Sequence, residues 1–229
     1  MKMSCLTHQG LVRLKNEDAV HADATAGLAV VADGIGGLMS GEVASRVAVG
    51  EVVDASGGGV TDAAELVLAA HDAVADAARE RNFLGKMGTT LVVWLWCDGV
   101  PQFAHIGDSR IYALCGGSLT RLSVDHTVAQ RMVDEGVVPA EEAHLAPQQN
   151  VLTQALGISR PPRPQSGTTP TAGRLLLCSD GLSDLVADER IAELLALDDL
   201  EACSHELVKA ALDKGGRDNV TVVVVDLDA

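Results

Sequence analysis

Four apolar runs in this chain carry an aspartate at one end. Leu28-Ala29-Val30-Val31-Ala32 leads into Asp33-Gly34, Phe103-Ala104-His105-Ile106 into Gly107-Asp108, and Leu175-Leu176-Leu177-Cys178 into Ser179-Asp180-Gly181; in the opposite order, Asp218-Asn219 opens Val220-Thr221-Val222-Val223. Such runs read as short buried strands. A buried strand that ends in a carboxylate delivers a charge to the rim of a sheet, which costs desolvation unless a cation or hydrogen-bond donors meet it there. The economical reading of the set is a metal site.

The segments between these runs set the fold class. The run ending at Asp33 leads into a glycine-rich turn, Gly34-Ile35-Gly36-Gly37, and then a helical pattern over residues 41–55 that Gly57-Gly58-Gly59 ends. Thr61 is placed to cap a second helix: Asp62 and Glu65 fill its first turn, and Leu66, Val67, Ala70, Val74 and Ala77 keep helical spacing to about Asn82. Residues 90–97, 102–106, 110–114 and 119–122 then read as strands separated by Asp98-Gly99 and Cys115-Gly116-Gly117, an antiparallel meander. Helices are expected over 125–135, 189–196 and 200–214, and strands over 174–179 and 220–225, the last as an interior strand. Residues 136–150 and the proline-rich 160–171 have no period and read as surface excursions. Meander strands with helices in consecutive pairs predict an α+β layered domain rather than βαβ alternation.

Composition narrows the partners. At 229 residues with 47% hydrophobic content, the chain has material for one large core, so a single domain over residues 1–229 is expected. Aromatic residues are only 2%, which leaves Val, Leu and Ala to fill that core. The formal charge of −15 opposes binding to nucleic acid or to anionic lipid. Cys5, Cys97, Cys115, Cys178 and Cys203 form no C-x-x-C pair and read as buried, reduced thiols. The opening residues lack a signal-peptide apolar stretch, and no apolar run approaches the ~20 residues of a membrane span. A cytoplasmic monomer is the expectation.

Several chemistries fail on their templates. The glycine turn after Asp33 lacks the Gly-Lys-Ser/Thr of a P-loop, and Met39 stands where G-x-G-x-x-G needs its last glycine. No G-x-S-x-G elbow, H-E-x-x-H helix or zinc-spaced Cys/His cluster occurs. Hard oxygen ligands dominate, which suits Mg²⁺ or Mn²⁺, and Gly34 would let a backbone carbonyl approach such an ion closely.

Seven motifs then stand in order: Arg13-Leu14-Lys15-Asn16-Glu17-Asp18, Val31-Ala32-Asp33-Gly34-Ile35-Gly36-Gly37, Gly88-Thr89-Thr90, Gly107-Asp108-Ser109-Arg110, Leu152-Thr153-Gln154-Ala155-Leu156-Gly157, Ser179-Asp180-Gly181-Leu182 and Gly216-Arg217-Asp218-Asn219. In order and spacing the chain resembles the metal-dependent protein serine/threonine phosphatases of the 2C family, in their compact bacterial form, over nearly its whole length. The resemblance implies a four-layer α-β-β-α sandwich with two central antiparallel sheets and a binuclear Mn²⁺ or Mg²⁺ centre at one end. It implies that Asp33 bridges both ions, that the Gly34 carbonyl serves one of them, and that Asp180 and Asp218 serve the other. Glu17 and Asp18 would hold the ions' waters, and Asp108 with Asp180 would hold a third, weaker ion.

Phosphate monoester hydrolysis is among the slowest uncatalysed reactions and needs both a hydroxide and charge neutralisation. Two ions about 3.5–4 Å apart supply both, so a metal-bridging hydroxide attacks and no phosphoenzyme forms. Arg13 is the candidate to grip the substrate phosphate, because its planar fork makes two charge-assisted hydrogen bonds. Asp33 and Arg13 are therefore the catalytic candidates. His126 reads as a helix-start histidine capped by Asp125, His105 as a satisfied core histidine, and Ser109 and Ser179 as packing residues or hydrogen-bond partners of the ligand aspartates.

Three positions depart from the family pattern. Ile35 stands where animal members carry a histidine proposed as general acid, which leaves protonation of the leaving alkoxide to a metal-bound water. His8 replaces an aspartate of the opening strand and Gln154 an arginine. Residues 134–150 fall where the family places a mobile flap, expected to set substrate preference. The resemblance implies phosphorylated protein substrates and a bacterial Ser/Thr kinase as opposing partner. Two other readings compete: a non-catalytic metal-binding scaffold of the same fold, and a phosphatase dedicated to one regulatory protein such as an anti-sigma-factor antagonist.

Overall fold

The valine- and leucine-rich runs are strands covered on both faces, which is why they lack the polar alternation of a half-exposed strand. The computed structural model describes residues 1–35, 40–145, 150–158 and 161–229. Its strands form two antiparallel sheets of five. In spatial order, one holds β1 (Lys2–His8), β10 (Val220–Asp226), β9 (Arg174–Cys178), β6 (Arg110–Cys115) and β7 (Ser118–Arg121). The other holds β2 (Asp18–Asp23), β3 (Leu28–Asp33), β4 (Leu91–Cys97), β5 (Val100–Ile106) and β8 (Gln165–Thr168).

Alternate residues of one strand serve different cores, as a pleat with period two requires. Val31, Val92, Trp94 and Phe103 face Ile111, Leu175, Leu177, Val223 and Val225 between the sheets. Their neighbours Val30, Ala32 and Val93 face outward onto α1 (Gly41–Gly57) and α2 (Ala63–Glu80). Leu176, Val222 and Val224 face the other way onto α5 (Asp188–Leu195) and α6 (Leu200–Asp213). The result is the expected α+β, four-layer α-β-β-α sandwich. Alanines at 44, 48, 70 and 78 sit at zero exposure in the α1–α2 layer, where small side chains let the helices lie close to the sheet. Truncating a leucine of the middle layer, such as Leu177→Ala, would cost about 2–5 kcal/mol.

Several sequence expectations need correction. The four strands from 90 to 122 are not one meander: β4–β5 and β6–β7 are hairpins in different sheets, and the chain changes sheet at Gly107-Asp108-Ser109. A glycine-containing turn looks the same in sequence whether the next strand pairs back or crosses over. The cap of α2 is Asp62, whose carboxylate accepts from the Ala64 and Glu65 amides, and Thr61 instead offers its carbonyl to Gln102. The helix read over 125–135 is α3 (Val128–Asp134), capped by Thr127, so His126 is not a helix-start residue. Within 136–150 lies a 3-10 helix, Ala140–Leu145, and within 160–171 lies the edge strand β8. The one-turn helix α4 (Asp180–Ser183) and the strands β1 and β2 have no periodicity strong enough to read. Only Cys178 and Cys203 are buried; Cys5 is exposed and Cys97 and Cys115 are half-buried, all five unpaired. Gly36 and Gly37 of the glycine turn, and part of 134–150 and of 160–171, fall outside the described residues.

β1 and β10 pair along their whole length, from Lys2 opposite Asp226 to His8 opposite Val220. The Met1 ammonium and the Ala229 carbonyl consequently meet at one end of the sandwich. The aspartates that close the apolar runs gather at the other.

Candidate metal centre

Each sequence-predicted carboxylate arrives on a different device. Asp33 closes β3 directly opposite Asp18 of β2. Its backbone is pinned: the amide donates to Thr90 Oγ1 at 3.0 Å, and the carbonyl accepts from the Thr90 amide at 2.9 Å and from Thr89 Oγ1 at 2.8 Å. Gly34 follows, its amide donating to the Glu17 carbonyl at 3.1 Å. A Cβ there would overlap the carbonyl oxygens of Gly41 and Glu17, so only glycine lets these three backbone segments meet. Asp108 sits in the turn where the chain changes sheet, Asp180 starts α4 straight after β9, and Asp218 precedes β10. Two sheets and their crossing thus deliver carboxylates to one place.

That place is a cavity of about 120 Å³ lined by Asp33, Asp108, Asp180, Asp218 and Glu17, with Arg13 at its rim. Five carboxylates face one guanidinium, so the acids repel one another in a site poorly served by water. Burial first, then the negative charges of Asp18, Asp180 and Asp108, hold Asp33 well above the usual carboxylate range. Asp180 is raised likewise by burial and by Asp108, Asp184 and Asp218. Burial, reinforced by Asp125 and Asp184, pushes Asp108 up to about 7. Arg13 donates to Asp218 Oδ2 at 2.5 Å.

Among the described residues no three such groups stand in a ready-made ligand shell, and Asp218 is engaged by Arg13. The residues nevertheless fit hard divalent cations. The donors are all oxygen, the excess charge is negative, and the buried Asp18 Oδ1 and Asp180 Oδ1 have no hydrogen-bond partner. Asp33, Asp180, Asp218, Asp108 and the Gly34 carbonyl could hold the ions.

Asp18 stands behind Asp33, away from the cavity lining. Its Oδ2 accepts from Ser179 Oγ at 2.9 Å and Thr221 Oγ1 at 2.6 Å, and burial outweighs these donors to raise the group to about 6. Ser179 therefore serves Asp18 rather than an expected ligand, and Ser109 meets Thr90 at 2.7 Å. Glu17 lines the cavity, its amide held by Asn219 Oδ1 at 2.8 Å. Asn219 also donates to the Gln9 and Lys15 carbonyls, each at 2.8 Å, and is 5% exposed. Its hub position, with those of Thr221 and Asn150, was missed; only the Asp218-Asn219 pairing in the sequence hinted at it.

His126 Nδ1 accepts from the Gly107 amide at 3.1 Å, and its ring stacks on His105 at 4.8 Å. Asp125, rather than capping His126, takes the fork of Arg110 at 2.7 to 3.1 Å. A larger groove of about 720 Å³ adjoins the cavity and shares Asp108, Asn150, Asp180 and Asp218 with it. Ala140, Ala143 and Asn150 of the expected flap line that groove, as does Arg217.

The chain is similar to proteins of known kind. The model of the family described as Protein phosphatase 2C matches residues 10–214. The serine/threonine protein phosphatase PstP of Mycobacterium tuberculosis is 41% identical across 99% of this chain, which spans 45% of the length of that protein. Protein phosphatase PhpP of Streptococcus pneumoniae is 33% identical, with 100% of this chain and 98% of that one covered. The solved catalytic domain of a serine threonine protein phosphatase PstP in complex with two manganese ions superposes with a TM-score of 0.85 at 39% identity, covering 98% of this chain and 97% of that one. A sandwich that brings carboxylates from both sheets to one cavity, and a sequence matched by the family model and by these proteins over nearly its own whole length, place the chain in the protein phosphatase 2C family.

Proposed function

We propose that residues 1–229 form one catalytic unit, a Mn²⁺- or Mg²⁺-dependent protein serine/threonine phosphatase that hydrolyses phosphoserine and phosphothreonine in proteins. The observation that carries this reading is the convergence of Asp33, Asp108, Asp180 and Asp218 on one small cavity with Arg13 at its rim. The manganese pair in the PstP structure supports the choice of cofactor.

Two bound divalent cations supply positive charge against the phosphoryl oxygens and make water acidic enough to yield hydroxide at neutral pH. The protein's own part begins with Asp33, Asp180 and Asp218, which would hold those ions together with the Gly34 carbonyl, while Asp108 would hold a weaker third. Glu17, reaching the same cavity, and Asp18, braced by two hydroxyls behind Asp33, would orient water there. Arg13 is free on one side, with its side chain 44% exposed, and exchanges part of its bond to Asp218 for a substrate phosphate. Ile35 lines the cavity without a proton to give, and His126 is not among the residues that line it, so protonation of the leaving alkoxide falls to water.

The groove beside the cavity, walled by α3 and by Ala140 and Ala143 of the expected flap, is where the substrate polypeptide would lie. A cytoplasmic setting opposite a Ser/Thr kinase is part of this proposal and rests on the likeness to the serine/threonine protein phosphatases above. Retention of every carboxylate argues against a scaffold. Hydrolysis of p-nitrophenyl phosphate and of phosphopeptides by wild type and Asp33→Ala, with Mn²⁺, Mg²⁺ or chelator, tests the reading. Metal-dependent turnover lost in the variant is expected; no turnover by folded wild type with any metal would sink it.

A further inference from the structure

The loop from Gln9 to Glu17 carries Arg13 but belongs to no helix or strand, and its apolar residues Leu11, Val12 and Leu14 are all exposed, Leu14 to 94%. Packing therefore does little to place the guanidinium. Hydrogen bonds to the segment 216–219 do so instead. The Leu11 amide donates to the Gly216 carbonyl at 2.7 Å, and Asn219 holds Gln9 and Lys15 by their carbonyls and Glu17 by its amide. A Cβ on Gly10, at φ +79°, would overlap the Asp218 and Gly216 carbonyls, so the loop lies backbone on backbone against the residues that deliver Asp218. Gln9 closes the circuit, its Nε2 donating to the Arg13 carbonyl at 2.6 Å.

We infer that Asn219 is a positioning residue for substrate phosphate: its one buried amide latches both ends of the arginine loop to the strand end that carries Asp218, setting where Arg13 meets the phosphoryl group. Asn219 lines the cavity, but its Oδ1 and both N–H groups of its amide are committed to the loop backbone, so it acts through Arg13. Each of its three bonds ends on a backbone group that no other side chain serves in this arrangement, and the residue is 5% exposed, so water does not replace them readily. The inference rests on the phosphatase reading above.

The experiment measures KM and kcat for p-nitrophenyl phosphate and Ki for inorganic phosphate in the Mn²⁺-loaded protein. The chains compared are wild type, Asn219→Ala, Asn219→Ser, Arg13→Ala and the Asn219→Ala/Arg13→Ala double variant, with Mn²⁺ affinity measured by calorimetry. Asn219→Ala is expected to raise KM and phosphate Ki about tenfold, with kcat changed less than about threefold and Mn²⁺ affinity near wild type. In the Arg13→Ala background the same substitution should move Ki less than about twofold, because the group it positions is gone. A residue that merely stabilises the fold would show additive losses, and additive losses or an unchanged phosphate Ki would overturn the inference. If Asn219→Ala does not fold, Asn219→Ser decides, since it keeps a small polar side chain but cannot span from Glu17 to the Gln9 and Lys15 carbonyls: a phosphate Ki raised about threefold or more supports the assignment and an unchanged one overturns it. No turnover by the wild-type chain would instead overturn the phosphatase reading, and this inference with it.

Discussion

Asp18 and Asp33 stand directly opposite each other across the antiparallel pair β2–β3, so two carboxylates share the last rung of a ladder. Like charges opposed on a sheet are destabilising, and here burial raises both groups, with the Asp18 charge pushing Asp33 up further. In chelated protein, Asp33→Asn should therefore raise Tm, by roughly 2–4 °C for each kcal/mol of relieved repulsion. The same substitution should lower metal-dependent turnover at least about a hundredfold. Thermal melts in chelator alongside p-nitrophenyl phosphate assays check both halves; a melting point lowered in Asp33→Asn would contradict the crowding argument.

Metal removal has a matching sign. Divalent cations bind the folded acids and relieve their repulsion, so Mn²⁺ at about a hundred times its Kd should add about 2.7 kcal/mol of stability. Asp180→Asn withdraws a carboxylate whose Oδ1 is buried without a partner, and should abolish most of that Mn²⁺-dependent rise in Tm. Equal Mn²⁺ shifts in wild type and variant would place the ions elsewhere.

His105 gives a pH dependence of known direction. Burial, despite its bond to Gln165 at 2.7 Å, holds this histidine down at about 4, with His126 and Arg121 opposing the charge and Asp125 favouring it. The unfolded chain takes up a proton near the ordinary 6.5, before the folded one does. His105 thus contributes full stability above about 6.5 and loses it as pH falls toward 4, a loss on the order of 3 kcal/mol. Denaturant titrations from pH 7 to 4 should show wild type losing more stability than His105→Gln; parallel losses would refute the assignment.

Arg110 and Asp125 form a forked ion pair with side chains 19% and 11% exposed. Arg110→Ala strands a largely buried carboxylate, for which Arg121 at 3.4 Å is a poor substitute, and should cost about 3–5 kcal/mol. Arg110→Lys keeps the charge but not the fork and should recover only part of it. Urea midpoints of the two variants give the comparison, and a cost of Arg110→Ala below about 1 kcal/mol would show the pair to be solvated.

What could be read from sequence was whatever is local and strong. The apolar runs ending at Asp33, Asp108 and Asp180 declared both their strands and their carboxylates, and the periodic apolar faces of α2 and α6 declared those helices. β1, β2 and β8 escaped because their side chains are mixed and part-exposed, so neither alternation nor continuity marks them. Ser179 and Thr221 were illegible as partners of Asp18 because they lie 161 and 203 residues from it. Asn219 escaped for a second reason: its partners are backbone groups, which carry no residue identity to read. The sheet change at Gly107 depends on which face His126 and Thr90 leave open, a property of the folded neighbourhood and not of the turn.

Residues 1 and 229 meet where β1 lies beside β10, far from the aspartates. A short peptide joining residue 229 to residue 1 would span that gap, and a break could be opened instead at Gly57-Gly58-Gly59 between α1 and α2. Such a permuted chain would keep every strand pairing, so the order in which the sandwich is threaded can be changed without disturbing the end that holds the carboxylates.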